Sequence, residues 1–171
     1  MLAKPSSNTF IKRVYGMKKW FSYLLHSLSD IRFTIISLLG GKTVGVRALV
    51  IKEGKILLVK HTYAEGWYTI GGGIEKGETP LEAIKRELME EVGLQLEEVP
   101  QLFGVYYNDF QKRGDYVILY LVKSFTMHTT NSLEIERWAW YPLQDLPRDI
   151  TPATRRRIEE FIGKRAISSK W

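Results

Sequence analysis

Residues 72–94 read GGIEKGETPLEAIKRELMEEVGL, and this stretch decides the fold because it encodes both ends of one helix. The TPLE tetrad that begins at Thr79 has the form of a capping box, in which the Thr79 hydroxyl and the Glu82 carboxylate accept each other's backbone N–H. A proline suits the first helical position, and Gly93 suits a left-handed C-cap. The sequence therefore predicts a helix over residues 80–92.

Two edges of this helix carry different chemistry. At 3.6 residues per turn, one edge is an apolar stripe that must face a core. The neighbouring edge collects three carboxylates, Glu87, Glu90 and Glu91. Like charges three and four positions apart destabilise a helix, so an ordinary surface helix would intersperse cations among them. Clustered carboxylate oxygens are the ligands of hard divalent cations, which favours a metal site over a merely solvated face.

The same stretch resembles the signature of a known enzyme family. It fits the Nudix box, G-x5-E-x7-R-E-U-x-E-E-x-G-U, at every fixed position: Gly72, Glu78, Arg86, Glu87, Leu88, Glu90, Glu91, Gly93 and Leu94. Flanking segments resemble a bacterial branch of the family, so the resemblance extends from residue 43 to about residue 160. The sequence differs from many family members at one position, because it has Ile70 before the glycines where they have a proline.

The rest of the chain alternates strand-like and helical segments. Apolar and β-branched runs predict strands over residues 43–51, 55–60, 67–70, 101–107, 116–125 and 137–141, with the first two joined as a hairpin, and a closing helix over 152–164. Strands on both sides of a central helix predict an α/β class, an α/β/α sandwich over a mixed sheet. The Nudix resemblance implies the same fold.

The resemblance also implies a set of site residues. Glu87, Glu90 and Glu91 are expected to bind a divalent metal together with the Gly72 carbonyl. The expected ion is Mg²⁺, with Mn²⁺ as an alternative, because a carboxylate cluster suits these ions better than zinc. Glu78 and Arg86 are expected to form an internal ion pair that orients the helix.

Other candidate residues lie outside the box. The general base is either Glu87 or an acid of a later loop, and of the two loop acids Glu134 is preferred to Glu136. Arg47 is a candidate for binding phosphate. Trp67 and Tyr107 are candidates for stacking on a base, although aromatic residues in strands more often pack in a core. The three scattered histidines suggest packing or surface roles.

The net charge of +6 is confined to one end of the chain. Residues 1–42 hold seven basic residues and one acidic residue, whereas residues 43–171 hold eighteen of each. The chain thus divides into a basic extension, 1–42, and a Nudix-like domain, 43–171. No nucleic-acid partner is expected, because the domain itself lacks a basic excess.

The extension has the pattern of an amphipathic helix. Its apolar residues recur at steps of four and three: Phe10, Val14, Met17, Phe21, Leu24 and Leu28. We expect this stripe to dock on the domain or on a second subunit of a homodimer. The alternative is that residues 10–28 lie on an anionic membrane surface.

Two function classes remain from the sequence. The first is an Mg²⁺-dependent pyrophosphohydrolase of a nucleoside diphosphate linked to another group, with ADP-ribose or a nucleotide sugar preferred, or of a nucleoside triphosphate. The second is a non-catalytic nucleotide-binding regulator. Retention of three mutually repelling glutamates favours the enzyme. The absence of cysteine excludes thiolate metal sites and is compatible with the expected cytoplasmic location.

Overall fold

A computed structural model of the chain describes residues 42–109 and 114–171. Within these two ranges it contains seven strands and two helices in the order β1 (Val44–Lys52), β2 (Lys55–His61), α1 (Pro80–Val92), β3 (Leu94–Leu96), β4 (Gln101–Asn108), β5 (Asp115–Val122), β6 (Phe125–Met127), β7 (Ile135–Pro142) and α2 (Pro152–Phe161). The predicted helix over residues 10–28 lies outside the described residues. In the part that is described, no helix is long and apolar enough to cross a bilayer.

The central sheet is mixed, as expected. Its order is β4-β5-β1-β2-β7, with β1 parallel to β5 and the other neighbours antiparallel. The predicted strand over 116–125 is instead two strands, because β6 leaves the sheet and pairs with β3. The predicted strand over 67–70 forms isolated bridges instead, to β1, to β2 and to Ile150.

Helices cover both faces of the sheet and confirm the α/β/α sandwich. On one face, α1 packs Ile84 and Leu88 against the β1 residues Val46 and Ala48. On the other face, Ile158 of α2 packs among Leu49 and other residues of β1 and β2. Burial of each large apolar side chain stabilises the fold by about 1.5–3 kcal/mol.

Helix α1 has the predicted ends. The Thr79 hydroxyl accepts the N–H of Glu82, and the Glu82 carboxylate accepts the N–H of Thr79 at 2.8 Å. At the other end, Gly93 has φ 67° and ψ 27°, and its N–H donates to the carbonyl of Met89. These caps fix the helix between a glycine loop and β3, and so fix the acidic edge in space.

The closing helix is shorter than predicted and carries a buried ion pair. It ends at Phe161, three residues before the expected end. Arg157 is fully buried, and its Nη2 lies 2.7 Å from Oε1 of Glu160. Arg157 also lies over the ring of Tyr106, 4.0 Å from its centroid. Since an unpaired buried charge is costly, these contacts explain how a charged helix residue is tolerated inside the domain.

Candidate active site

A cavity of about 810 Å³ opens where β1, the glycine loop and α1 meet. The glycine loop (Gly71, Gly72 and Gly73) forms one wall, and the acidic edge of α1 forms the next. Segment 130–134, which precedes β7, and the first residues of β5 complete the lining. The structure thus brings together segments that are far apart in the sequence.

Glu91 is the most buried acid of the cluster, with 5% of its surface exposed. Its Oε2 accepts the backbone N–H of Gly71 at 3.2 Å. Burial and then the charge of Glu87 raise its pKa to about 8. A metal-free protein therefore holds Glu91 largely protonated at neutral pH, and a bound cation would favour its ionised form.

Glu87 lies directly against the glycine loop. A Cβ added to Gly72 would stand 2.3 Å from Oε1 of Glu87, so the carboxylate occupies the space that a side chain at position 72 would need. Burial raises the pKa of Glu87, and its ion pair with Arg86, 2.8 Å between Nη1 and Oε1, opposes that effect. The absent side chain of Gly72 is what lets this carboxylate approach the loop backbone.

Glu90 occupies a different environment from the other two acids. Its side chain is 60% exposed, and its Oε2 lies 3.4 Å from Nη1 of Arg86. Within the described ranges, no three side chains of metal-binding type converge closely enough to hold an ion by themselves. Of the three predicted ligands, Glu87 and Glu91 are therefore gathered at the loop, whereas Glu90 faces the solvent side of the cavity.

These residues nevertheless fit a divalent cation of the Mg²⁺ type. Such an ion takes only one or two protein carboxylates and completes its octahedral shell with waters and substrate phosphates. Glu87 and Glu91 supply hard oxygen donors beside the loop backbone, and burial of the two carboxylates raises the pKa of each. Two buried acids near each other are stabilised in their charged form when a cation lies between them.

The carbonyl oxygen of Gly72, which was expected to face a metal, accepts a backbone hydrogen bond from β1. It accepts the N–H of Val46 at 2.9 Å, as Ile70 accepts that of Ala48 in the same irregular pairing with β1. Its oxygen therefore faces β1, and only its second lone pair is left for a metal. The N–H of the intervening Gly71 faces Glu91 instead.

Arg86 organises the acidic helix, as predicted. It forms two hydrogen bonds with Glu78, Nε to Oε1 at 2.9 Å and Nη2 to Oε2 at 3.0 Å. Its Nη2 also donates to the Gly73 carbonyl, which ties the helix to the glycine loop. The hydrogen bond from Arg86 lowers the pKa of Glu78, and the same bond raises the pKa of Arg86. This arginine is thus held by a bidentate contact and is not free for substrate.

Arg47 lines the cavity from β1. Its positive charge lowers the pKa of both Glu87 and Glu91, opposing the larger effect of burial. Its Nη1 donates to the Val46 carbonyl at 3.1 Å. No ion pair within 4 Å joins Arg47 to a carboxylate of the described residues, so its guanidinium can meet an anion in the cavity.

The preferred loop acid also lies at the cavity. Glu134 is exposed on the lining, and its charge contributes, after burial and Glu87, to the raised pKa of Glu91. Its carbonyl accepts the N–H of Thr62 at 2.8 Å, which anchors the segment to the end of β2. Glu136 is absent from the lining and sits at the irregularity between β2 and β7.

The two aromatic candidates are placed differently from the prediction. Trp67 is only 3% exposed and packs edge-on against Tyr141 in the core, 4.9 Å between ring centroids, so it does not line the cavity. Tyr107 is half-buried on β4 and meets Tyr116 edge-to-face at 5.6 Å. It is Tyr116, its β5 partner, that reaches the cavity. Trp67 therefore packs in the core and is not placed to stack on a base in the cavity.

Sequence reasoning missed an aromatic wall at the end of β2. His61 and Tyr63 both line the cavity, and their rings stack at 4.9 Å. Burial, followed by the charges of Glu134 and Glu91, raises the pKa of Tyr63, so its phenol stays neutral. The only signal was position, because His61 ends the buried strand β2 and Tyr63 lies two residues beyond it.

Comparisons with known proteins agree with this geometry. The chain is 34% identical over 121 residues to an RNA pyrophosphohydrolase of Mesorhizobium japonicum, covering 57% of this chain and 68% of the relative. It is 31% identical over 134 residues to an RNA pyrophosphohydrolase of Actinobacillus succinogenes, covering 64% and 68%.

Solved structures share the fold. A MutT NUDIX hydrolase from Burkholderia pseudomallei has a TM-score of 0.61 and 30% identity, with 69% of this chain and 96% of that chain covered. An ADP-ribose pyrophosphatase from Streptococcus suis, at 20% identity and a TM-score of 0.55 over 73% and 94% of the two chains, is similar in fold alone. The model of the NUDIX domain matches residues 41–161. With its complete box and its matching fold, the chain belongs to the Nudix family and is a Nudix-type pyrophosphohydrolase.

Proposed function

We propose that this enzyme is an Mg²⁺-dependent hydrolase of the diphosphate bridge in a nucleoside diphosphate linked to another group. The observation that carries the proposal is the burial of Glu87 and Glu91 against the backbone of Gly71 and Gly72, at the wall of the cavity. A bound cation would stabilise the ionised form of these two acids, and a diphosphate substrate brings further oxygen ligands for that cation.

Five charged residues of the cavity have distinct roles in this proposal. Glu87 and Glu91 would hold the metal, with Glu90 as a third, outer carboxylate. When bound, the ion would neutralise charge on the phosphoryl oxygens and promote ionisation of water. Arg86 holds Glu87 in place through its pair with Glu78. Arg47 would bind phosphate oxygens from the β1 side.

Glu134 is our preferred general base. It is an exposed carboxylate on the rim of the cavity, near enough to Glu91 to affect its pKa. An acid that faces solvent can accept a proton from the attacking water and pass it to bulk solvent. Tyr63 lines the same cavity, and the charges of Glu134 and Glu91 add to the effect of burial that raises the pKa of its phenol.

The substrate is a nucleotide, and two candidates differ in the group that the diphosphate carries. ADP-ribose or a nucleotide sugar is our first candidate, because residues 43–171 have no excess of basic residues with which to bind a polynucleotide. The second candidate is the 5′ phosphate end of an RNA, since the relatives with 34% and 31% identity carry the name RNA pyrophosphohydrolase.

A release assay with a substrate panel separates these candidates. The panel contains ADP-ribose, UDP-glucose, the nucleoside triphosphates and a 5′-triphosphate RNA, each with Mg²⁺, with Mn²⁺ and with chelator. We expect metal-dependent turnover that is highest for a diphosphate-linked nucleotide. Hydrolysis in ¹⁸O-labelled water should place the label on a phosphate product. Label on the anomeric carbon of the sugar, or no turnover with any metal, would contradict the proposal.

A further inference from the structure

One half of the sheet face that carries α1 is left open by the described elements. Helix α1 packs on β1, β3 and β7. The two strands at the other side of that face are β5, whose Ile118 and Tyr120 are half-buried beside the α1 core, and the edge strand β4. Leu102 and Val105 of β4 are 54% and 51% exposed.

Strand register puts these residues on one surface. Leu102 is paired with Tyr120, and Val105 is paired with Ile118. Because directly paired residues point to the same side of a sheet, all four face the α1 side. We call Leu102, Val105, Ile118 and Tyr120 the β4–β5 strip. A contiguous apolar surface of this kind marks a contact site, since apolar surface exposed to water is costly.

We propose that the amphipathic segment of residues 10–28 docks its apolar stripe on the β4–β5 strip of its own domain. The chain enters the domain at the right place for this contact. The N–H of Tyr116, at the start of β5, donates to the Thr43 carbonyl at 2.9 Å. Residues 1–41 therefore join the domain beside the first residues of β5, next to the strip.

Length and charge fit the same occupant. A helix of residues 10–28 would be about 28 Å long, and the eight residues of β5 extend over about 26 Å. Thirteen residues, 29–41, connect the segment to the domain and allow it to lie along β5 in either direction. The charges are complementary, because Glu97 and Glu98 are exposed at the end of the strip where β4 begins. The segment carries the basic residues Lys12 and Arg13 near its start.

Docking here would place the extension next to the cavity. Tyr116 lies between the strip and the cavity, because it precedes Ile118 on the same face of β5 and also lines the cavity. This contact surface is independent of which nucleotide the enzyme hydrolyses.

Disulfide trapping tests the contact in the full-length chain, which contains no cysteine of its own. One cysteine replaces Val105 on the strip, and the second replaces either Phe21, on the apolar stripe, or Lys19, on the opposite side of the same helix. We expect the V105C/F21C pair to form an intramolecular disulfide on oxidation and the matched V105C/K19C pair to form far less. Equal trapping of both pairs, or trapping of neither, would overturn the proposal.

The partner molecule is identified in the same experiment. Oxidation of an equal mixture of ¹⁵N-labelled and unlabelled protein should give cross-linked peptides of uniform label only. Mixed-label peptides would overturn the proposal in favour of a second copy of the chain.

Alkylation kinetics give an independent readout. A single cysteine at Val105 should react at least about tenfold more slowly than one at Ile167, which is 64% exposed, because docking closes the strip most of the time. Adding F21D and L24D should remove that difference. Equal alkylation rates at positions 105 and 167 before those substitutions would overturn the proposal. Faster alkylation of V105C on adding phosphatidylserine vesicles would also overturn it, because it would indicate that the segment binds a membrane surface instead.

Discussion

The backbone N–H of Gly71 donates to the carboxylate of Glu91 across 3.2 Å, and this contact joins the glycine loop to the acidic edge of α1. Twenty residues separate the two partners in the sequence. Glu91 is buried there, so the loop and the helix present one shared surface to the cavity. The chemistry of the site depends on this arrangement of backbone and carboxylate.

Alanine substitutions at the adjacent residues Gly71 and Gly72 should have different effects on stability and activity. In G72A the nearest atoms to the new methyl group would be those of the Glu87 carboxylate, which belongs to a side chain and not to the backbone. We expect the melting temperature to change little while kcat/KM falls by about 10²-fold, as a misplacement of about 1 Å can produce. Calorimetry and steady-state kinetics on the same preparation measure both effects.

Gly71 is the matched comparison. It has φ 132°, and an added Cβ would lie 2.3 Å from the carbonyl oxygen of Val46, which is backbone and cannot move aside. We expect G71A to lower the free energy of unfolding by at least about 1–2 kcal/mol. Equal activity of G72A and the wild type would show that the position of Glu87 is unimportant.

The metal-free protein should lose stability as the pH rises. The pKa of Glu91 is raised by burial to about 8, whereas an unfolded glutamate titrates near its ordinary value of 4.5. Between these two values the folded state binds a proton that the unfolded state has released, so the free energy of unfolding falls with increasing pH. Thermal denaturation with chelator from pH 5 to pH 8 measures the slope.

E91Q is the control for that slope, because it keeps the shape of the side chain and removes the titration. It should flatten the dependence over this pH window. Added Mg²⁺ should stabilise the wild type most at the alkaline end, where Glu91 is most readily ionised. An identical slope in E91Q and the wild type would contradict the assigned pKa.

The two loop acids should differ in their effect on turnover. E134Q should lower kcat by about 10²–10⁴-fold if Glu134 accepts the proton of the attacking water. E136Q should change kcat little, because Glu136 does not line the cavity. Single-turnover rates across a pH series measure both, and a loss confined to E136Q would show that the choice of base is wrong.

The buried ion pair of α2 should contribute to folding and not to chemistry. R157M leaves the buried carboxylate of Glu160 without its cation, which should cost about 3–5 kcal/mol of stability. The double variant R157M/E160Q should recover part of that loss, because it removes the second charge as well. Urea denaturation of the three proteins measures the difference, and a double variant less stable than R157M would contradict this explanation.

Local features of the fold were readable from the sequence. The caps of α1 depend on residues within four positions of one another, Thr79 with Glu82 and Gly93 with Met89, and they form as predicted. The hairpin of β1 and β2 turns at Glu53 and Gly54, both with positive φ, where the sequence placed the turn.

Long-range features were not readable in the same way. The engagement of the Gly72 carbonyl by Val46 and the location of Trp67 in the core depend on which strands become neighbours. Likewise, β5 ends at Val122 and the chain then pairs with β3 as β6, which divides a segment that reads as one continuous strand. No local pattern specifies such pairings. The cavity contribution of Tyr63 was missed for the same reason, since it depends on where β2 ends relative to α1.

Turnover of E91Q shows directly whether the carboxylates gathered at the glycine loop hold the metal that hydrolysis requires. On the best substrate of the panel, at saturating Mg²⁺, E91Q should lose at least about 10²-fold in kcat/KM, since a metal ligand should matter at least as much as a positioned acid or base. Its circular dichroism spectrum should match that of the wild type. A folded E91Q protein with turnover close to wild type would contradict the assignment of the metal site.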